Sequence, residues 1–274
     1  MRTNEPAIAA YLDAALRRMS IGREVPANVA GIDRGAILWG SGGAELWLDG
    51  RPITFDRKPS GPLEAAFCGS AALLGKSLRR LERQRGLYAA GMSRGDACVA
   101  IIAPSGTGKT TLALELLRRG WSTYGDEFLV IDRATLVAEA VPLAFMVRES
   151  ALDSLDDFAL AQRVRDGAIV DEKSGIRTWH GFDVADEFGA AAIAAPRPLT
   201  HVVLLERSRD GFASYERISA AALALELLPR LFIENLQVAD IWETAAALRR
   251  VACYRLCAGD HRVAADALAK LVVA

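Results

Sequence analysis

The sequence predicts a mixed α/β fold, and two observations lead to this prediction. Short apolar segments suited to buried strands alternate with segments of helical periodicity through the last two thirds of the chain. One apolar segment, 97–102, continues through a glycine-rich loop directly into a helical segment that starts at Lys109. A strand, a glycine-rich loop and a helix in this order form a well-known unit of α/β domains.

The first third of the chain has a different pattern. Residues 6–19 carry apolar side chains at helical spacing. Between 30 and 56, three short strand-like runs are separated by glycine-rich turns, which predicts a small antiparallel sheet. A further helix is predicted over 63–86. We therefore predict an appended N-terminal layer over 1–84, composed of helix and small sheet, and an α/β domain over 85–274.

The elements of the predicted α/β domain follow from apolar runs and helical spacing along the chain. The predicted strands lie at 97–102, 122–125, 128–131, 142–147 and 202–206. The predicted helices lie at 109–119, 219–229, 239–250 and 261–272, the first of them stopped by Gly120.

Composition excludes several classes of protein. The chain has 274 residues and a net charge of -1, and its charged residues form no concentrated basic surface of the kind that nucleic acid requires. No apolar run reaches the roughly 18 residues of a membrane span, and we expect no membrane association. The four cysteines and three histidines lack zinc-site spacing, and unpaired thiols favour a cytoplasmic location.

Residues 103–111, Ala-Pro-Ser-Gly-Thr-Gly-Lys-Thr-Thr, match the Walker A phosphate-binding pattern except that Ala103 takes the first glycine position. Glycines in the loop let backbone N–H groups approach phosphate oxygens, and the helix that follows adds the positive end of its dipole. Lys109 can reach the β- and γ-phosphates, and the Thr110 hydroxyl can ligate magnesium. This P-loop predicts binding of a purine nucleoside triphosphate, with ATP expected, and Mg²⁺, through Ser105, Gly106, Thr107, Gly108, Lys109, Thr110 and Thr111.

Two adjacent acids, Asp126 and Glu127, follow the predicted strand 122–125. We expect this strand to return beside the strand 97–102, which would place the acids at the edge where α/β sheets bind ligands. One carboxylate can orient and deprotonate a hydroxyl, and the other can hold magnesium. Two other interpretations remain open: an acidic turn between strands, or a magnesium ligand at Asp132 or Glu206, each of which follows four apolar residues.

The P-loop, its helix and the Gly-Asp-Glu segment resemble the catalytic domain of HPr kinase/phosphorylase and its smaller relatives, including the kinases of lasso-peptide pathways. The resemblance covers residues 85 to 272. It implies an HPr kinase/PEP carboxykinase-like P-loop core in which Asp126 is the catalytic base and Glu127 helps to coordinate magnesium. It also implies that Arg148, in the segment Phe-Met-Val-Arg-Glu, is a phosphate clamp.

Three departures from the family pattern limit what the resemblance implies. Tyr88 stands where the bifunctional enzymes have a histidine, and Met146 stands where they have a magnesium-binding glutamate. The segment linked with dephosphorylation is not recognisable. We therefore expect a kinase without phosphorylase activity. The magnesium ligand that Met146 replaces is either absent or supplied by another residue.

Together these features predict a cytoplasmic, ATP- and magnesium-dependent kinase that phosphorylates a serine hydroxyl of a peptide or protein. A lasso-peptide precursor is a candidate acceptor, the layer 1–84 is a candidate for substrate recognition, and the resemblance is compatible with a homo-oligomer. A kinase of a small molecule such as free serine and a regulatory nucleotide-binding module remain open. A motor ATPase of the ABC type is disfavoured, because the chain lacks a Leu-Ser-Gly-Gly-Gln-like signature and a glutamine loop.

Overall fold

The computed structural model describes residues 2–3, 6, 35–40, 43–48, 51–53, 65, 69, 72, 83–141, 145–166, 170–174, 177–232 and 237–273. The strands of this part of the chain are β1 (Arg2–Thr3), β2 (Gly35–Gly40), β3 (Gly43–Leu48), β4 (Arg51–Ile53), β5 (Gln84–Tyr88), β6 (Ala90–Arg94), β7 (Ala97–Ile102), β8 (Ser122–Gly125), β9 (Phe128–Asp132), β10 (Val137–Glu139), β11 (Phe145–Arg148), β12 (Val170–Ser174), β13 (Arg177–Phe182), β14 (Arg197–Pro198), β15 (His201–Arg207), β16 (Ala213–Arg217), β17 (Leu231–Phe232) and β18 (Ala252–Ala258). The α-helices are α1 (Lys109–Arg118), α2 (Glu149–Asp153), α3 (Phe158–Asp166), α4 (Val184–Phe188), α5 (Ala220–Leu227), α6 (Val238–Leu248) and α7 (His261–Leu271).

The chain divides into two compact units, and the predicted mixed α/β class is confirmed by their sheets and helices. Unit 1 comprises Met1–Ser77, Pro142–Glu149 and Asp157–Asp183, and unit 2 comprises Leu78–Val141, Ser150–Asp156 and Val184–Ala274. Unit 1 thus takes in two segments that lie beyond residue 84. The division into an N-terminal layer and a kinase domain remains a prediction.

Unit 1 contains two small sheets. Strands β2, β3 and β4 pair antiparallel, in agreement with the sheet predicted between 30 and 56, and β1 pairs parallel with β2. The second sheet has the order β11-β13-β12 and is antiparallel throughout. The helix predicted over 6–19 lies almost entirely outside the described residues, as does most of the helix predicted over 63–86. The helix predicted over 63–86 is wrong at its C-terminal end, because Gln84–Tyr88 forms strand β5.

Unit 2 contains a six-stranded sheet of order β16-β18-β15-β7-β6-β8. Strand β7, whose six residues are all buried, lies between parallel β15 and antiparallel β6. The sequence predicted that the strand after the loop helix would return beside β7, and this is wrong in detail. Strand β6 occupies that place, and β8 pairs antiparallel with β6 on its other side. Because β7 and β8 both run opposite to β6, they point the same way and end at the same edge of the sheet.

The second sheet of unit 2 has the order β14-β10-β9-β5-β17, with antiparallel pairing throughout. It shares a large apolar core with strands of the six-stranded sheet and with α5 and α6, since buried Leu87, Leu129, Leu204 and Leu223 belong to one cluster. Each fully buried leucine of this kind stabilises the fold by roughly 1.5–3 kcal/mol. This packing gives the ends of β5, β8 and β9 fixed positions.

None of the helices in the described part of the chain has both the length and the apolar character needed to cross a membrane.

Candidate functional site

The glycine-rich loop 103–108 connects the buried strand β7 to helix α1, in the order that the sequence predicted. Gly106 and Gly108 have φ angles of 84° and 107°, in the left-handed region that favours glycine. No heavy atom would lie within 4 Å of a Cβ at either position, so their backbone conformation, and not crowding, calls for glycine. Thr107 N–H donates to the Pro104 carbonyl oxygen at 3.3 Å and closes the turn.

The start of helix α1 is suited to an anion. Its N-cap is Gly108, which offers no side-chain hydrogen bond, and its first turn carries no acidic residue. The first backbone N–H groups of the helix therefore remain available for a ligand, at the positive end of the helix dipole. Ser105 and Gly106 are exposed, and Thr107, Thr110 and Thr111 are half-buried, so the loop can be reached from solvent.

Lys109 does not extend from the loop into solvent. The residue is buried, with 7% relative exposure, and its Nζ donates a hydrogen bond to the backbone carbonyl oxygen of Asp126. The same Nζ lies 4.7 Å from the ring centroid of Tyr88. The adjacent Thr110 hydroxyl donates to Asp126 Oδ2 at 3.0 Å. The first two residues of α1 and the first of the predicted acids therefore meet at one place in unit 2.

A glycine-dependent turn brings Asp126 and Glu127 to this place. Gly125, the last residue of β8, has a φ of 136°, and a Cβ there would lie 2.8 Å from the Phe128 carbonyl oxygen. Its N–H donates to Thr123 Oγ1 at 3.0 Å, and Ala89 N–H donates to the Glu127 carbonyl oxygen at 3.2 Å. The chain can therefore pass from β8 to β9 through a tight turn whose two acids face the start of α1.

Burial changes the protonation of this cluster. It raises the pKa of Asp126, against the opposing charge of Lys109 and the hydrogen bond from Thr110. Burial, assisted by the neighbouring Asp126, raises the pKa of Glu127 to about 7. Burial also lowers the pKa of Lys109, although the negative charges of Asp126 and Glu127 act to raise it. Burial thus disfavours the ionised form of both acids, and a bound cation would favour it.

The side chains present fit a magnesium ion that keeps much of its water. Mg²⁺ is usually bound by one or two carboxylates together with phosphate and water oxygens. Thr110, Asp126 and Glu127 offer one hydroxyl and two carboxyl groups beside the anion-binding turn. Within the described ranges, no group of three or more His, Cys, Asp or Glu side chains is placed to hold a metal ion by itself.

The geometry favours Asp126 over the two other acids considered as magnesium ligands. Asp132 lies at the opposite end of β9, where its carboxylate accepts hydrogen bonds from Thr135 N–H at 2.8 Å and from Arg83 Nε at 2.8 Å. These hydrogen bonds hold its pKa well below the usual range, as expected for the cap of a turn. Glu206, on β15, accepts from Arg255 Nε at 3.1 Å.

The predicted phosphate clamp, Arg148, ends strand β11 in unit 1, whereas the loop and the two acids belong to unit 2. Its role at the site therefore stays a prediction. Met146 is buried in the same strand, at 6% exposure. Glu149, the next acid along the chain, is paired with Arg165 at 2.6 Å and with His180, an arrangement that the sequence did not predict.

The contact between the Tyr88 ring and Lys109 could not be predicted from the sequence. The sequence identified Tyr88 only as a substitution for a histidine, and the contact of its ring with Lys109 was not foreseen. The two residues are brought together by pairing of β5 with β9, which no local pattern in the sequence reveals.

Comparison with solved structures shows a distant structural similarity, whereas comparison by sequence gives no match. No protein-family model matches the chain, and no curated protein matches it. The chain is similar to a solved structure described as the Hpr(Ser) kinase/phosphatase from Coxiella burnetii, with 15% sequence identity and a TM-score of 0.36. The match covers 69% of this chain and 93% of that one.

Proposed function

We propose that this protein binds ATP and Mg²⁺ at the loop 103–108 and the start of α1, and that it transfers the γ-phosphoryl group to a serine hydroxyl of a peptide or protein. The observation that carries the proposal is the contact of Asp126 with both Lys109 and Thr110. It puts a buried carboxyl group next to the turn suited to phosphates, where an acceptor hydroxyl would have to approach.

Each residue has a defined part in the proposed transfer. The backbone of residues 105–108 and the first turn of α1 bind the phosphates, and Lys109 moves to their β- and γ-oxygens. Thr110, Asp126 and Glu127 would hold a magnesium ion, which would offset charge on the phosphate oxygens. Asp126 orients the acceptor hydroxyl and takes its proton as the hydroxyl oxygen bonds to the γ-phosphorus, while the bond from that phosphorus to the β–γ bridging oxygen breaks and ADP leaves.

Electrostatic stabilisation supplies most of the remaining rate enhancement. Lys109 offsets the charge that develops on the transferring group. A loose phosphoryl-transfer transition state needs alignment of the attacking oxygen more than covalent chemistry by the protein. The hydrogen bond from Thr110, at the start of α1, to the Asp126 carboxyl group suits this requirement.

A purely regulatory nucleotide-binding module is the weaker proposal. Such a module needs the loop and its helix, but it has no use for two adjacent acids in a partly desolvated turn. Burial raises the pKa of both acids, which means that their ionised forms are destabilised in the folded protein. Perturbed acids beside an anion site favour a catalytic role.

Two kinds of phosphate acceptor are considered, a peptide or protein and a small molecule. We propose a peptide or protein serine, with a lasso-peptide precursor as the first candidate and the N-terminal layer as the candidate recognition surface. Free serine would use the same phosphoryl chemistry.

The test is incubation with γ-³²P-labelled ATP and Mg²⁺, with no acceptor, with free serine, or with a panel of serine-containing peptides that includes lasso-peptide precursors. Label transfer to peptide is the expected result. Transfer only to free serine would support the small-molecule kinase. Tight ATP binding without hydrolysis or transfer to any acceptor would overturn the kinase proposal and favour the regulatory module.

A further inference from the structure

An apolar cavity in unit 2 is lined by residues of the second sheet, of β15 and of helices α5 and α6. Its volume is about 80 Å³. One water-sized group occupies about 10–15 Å³ of such a volume, so the cavity can hold roughly five to eight of them. Most of its walls are aliphatic side chains, which include Leu87, Ile131, Val202, Leu227, Leu231 and Leu248. Walls of this kind offer few hydrogen bonds to water, and they therefore suit an apolar occupant.

Two arginines at the mouth of this cavity converge on one carboxylate. Arg85, Arg133 and Glu243 line the cavity as well, and each of them keeps part of its side chain in solvent. Nη2 of Arg133 pairs with Oε2 of Glu243, and Nη2 of Arg85 lies 3.8 Å from the same oxygen. Asp240 holds Arg85 from a second direction, with 2.5 Å between its Oδ1 and Nη2. Two guanidinium groups directed at one oxygen form a site for a carboxylate.

Glu243 occupies this carboxylate site in a replaceable way. Its side chain comes from the surface of α6 and is 54% exposed. Ion pairs with this much exposure contribute little stability, so an incoming carboxylate can take the place of Glu243 at small cost. A ligand that also carries an apolar chain gains from burial in the cavity, which Glu243 does not fill. Each methylene group that enters the cavity should tighten binding about fourfold.

We propose that this cavity binds a small apolar carboxylic acid, with a chain of about five carbons, whose carboxylate replaces that of Glu243 at Arg85 and Arg133. A cationic ligand of the same shape would face two guanidinium groups and a single carboxylate at the mouth, which disfavours it. None of the residues that line the cavity belongs to the loop 103–108 or to the turn 125–127. The inference therefore goes beyond the proposed function and does not depend on it.

The first test is calorimetric titration of the full chain with hexanoate in the absence of nucleotide. We expect saturable binding of one hexanoate per chain. Butanoate, which has two fewer methylene groups, should bind roughly tenfold more weakly, and hexan-1-ol should also lose about tenfold because it lacks the carboxylate. Absence of saturable hexanoate binding would overturn the proposal. So would an affinity for hexan-1-ol or hexylamine that equals or exceeds the affinity for hexanoate.

The second test removes the competing carboxylate. Glu243→Gln should bind hexanoate severalfold more tightly than the wild type, because the arginines no longer pair with a charged side chain of the protein itself. Glu226→Gln is the matched control, since Glu226 is 50% exposed on the neighbouring α5, is paired with Arg230 and does not line the cavity. A lower affinity in Glu243→Gln, or the same change in both variants, would contradict the exchange of carboxylates.

The third test fills the cavity. Ala247→Met places a longer side chain in its wall and should weaken hexanoate binding at least tenfold. Ala246→Met, at the exposed adjacent position of α6 outside the cavity wall, should bind like the wild type. Equal affinities in the two variants would show that hexanoate binds elsewhere and would overturn the proposal.

Arg133→Gln tests the mouth of the cavity and also serves if Ala247→Met does not fold. It should weaken the binding of hexanoate severalfold and leave that of hexan-1-ol unchanged, because only the carboxylate contacts the arginine. An unchanged affinity for hexanoate would overturn the proposed carboxylate site. None of these titrations contains ATP, so failure of the kinase proposal and failure of this inference are separate results.

Discussion

The Thr110 hydroxyl donates a hydrogen bond of 3.0 Å to Oδ2 of Asp126, which joins the first turn of α1 to the turn after β8. The carboxyl group of Asp126 is therefore oriented from the helix side, while its backbone carbonyl is held by Lys109. Asp126 as a whole is buried, with 5% of its surface exposed. Because Asp126 both binds magnesium and accepts the proton in the proposed transfer, its substitution is the most direct test of the proposed chemistry.

We expect Asp126→Asn to lower the rate of phosphoryl transfer by about 10²- to 10⁴-fold, the usual contribution of a general base. Its ATP dissociation constant should stay within a few-fold of the wild type, since the amide oxygen can still accept from Thr110 and the backbone carbonyl can still accept from Lys109. Initial rates with labelled ATP and calorimetric titration of the nucleotide measure the two effects. Asp96→Asn, which removes the same charge from a fully exposed side chain, is the matched control. A transfer rate for Asp126→Asn equal to that of Asp96→Asn would remove Asp126 from the role of base.

Glu127 should make the protein less stable as the pH rises through neutrality. Its pKa is raised from the usual 4.5 to about 7 in the folded protein. Between these two values the folded chain retains a proton that the unfolded chain has lost, so the free energy of unfolding falls as the pH increases. Glutamine carries no such ionisation and should escape the loss.

We therefore expect Glu127→Gln to be more stable than the wild type by roughly 1–2 kcal/mol at pH 8, after allowance for partial exposure of the side chain. Urea unfolding at pH 8 measures the difference. The same comparison at pH 4.5 is the control, where the two proteins should approach each other. A Gln variant that is equally or less stable at pH 8 would show that the folded protein does not disfavour the ionised Glu127.

The parts of the site that the sequence predicted correctly depend on short-range rules. The strand 97–102 and the helix that starts at Lys109 follow from an apolar run, a glycine-rich loop and helical spacing. The helices near the C-terminus were also placed within a few residues, and capping explains the agreement. The side chains of Ser219 and Asp260 accept N–H hydrogen bonds at the starts of α5 and α7.

The parts that were missed depend on pairing between distant segments. Residues 84–86 continued a helical pattern but form part of β5, since pairing with β9 and β17 outweighs local helical preference. The insertion of β6 between β7 and β8 has the same origin, because a hairpin of β6 with β7 occupies the place next to the loop strand. The contact of Tyr88 with Lys109 depends on this strand arrangement, and no pattern among neighbouring residues of the sequence indicates it.

We expect Gly125→Ala to destabilise the protein by about 2 kcal/mol or more. The substitution places a Cβ in a left-handed backbone, at 2.8 Å from the Phe128 carbonyl oxygen, and backbone atoms cannot rotate away as a side chain can. Urea unfolding measures the loss. Gly211→Ala, where no heavy atom lies within 4 Å of the new Cβ, should stay within about 0.5 kcal/mol of the wild type. Equal effects at the two positions would show that the turn before Asp126 does not require glycine.

A second buried acid, Glu115, provides the contrast to Asp126. It lies in α1 at 1% exposure and accepts hydrogen bonds from Arg118 at 2.8 Å and from Arg119 at 2.6 Å. Arg119 also pairs with Asp266 of α7. Burial alone would raise the pKa of Glu115, but the two arginines outweigh it and hold the pKa below the usual range. The carboxylate thus stabilises the folded state above its unfolded pKa, and this contribution is lost as the pH falls through the folded value.

We expect Glu115→Gln to cost about 2 kcal/mol of stability at pH 7, since a neutral amide cannot pair with both guanidinium groups. The loss should shrink in acid, where the wild-type carboxylate is itself protonated. Asp266→Asn, at an exposed position of the same network, should cost less than about 1 kcal/mol. Because Glu115 makes its contacts at the end of α1 away from the loop, phosphoryl transfer by the folded Gln variant should remain at the wild-type rate. Loss of transfer in Glu115→Gln, measured well below its unfolding temperature, would show that catalysis depends on the anchoring of α1 and not on Asp126 alone.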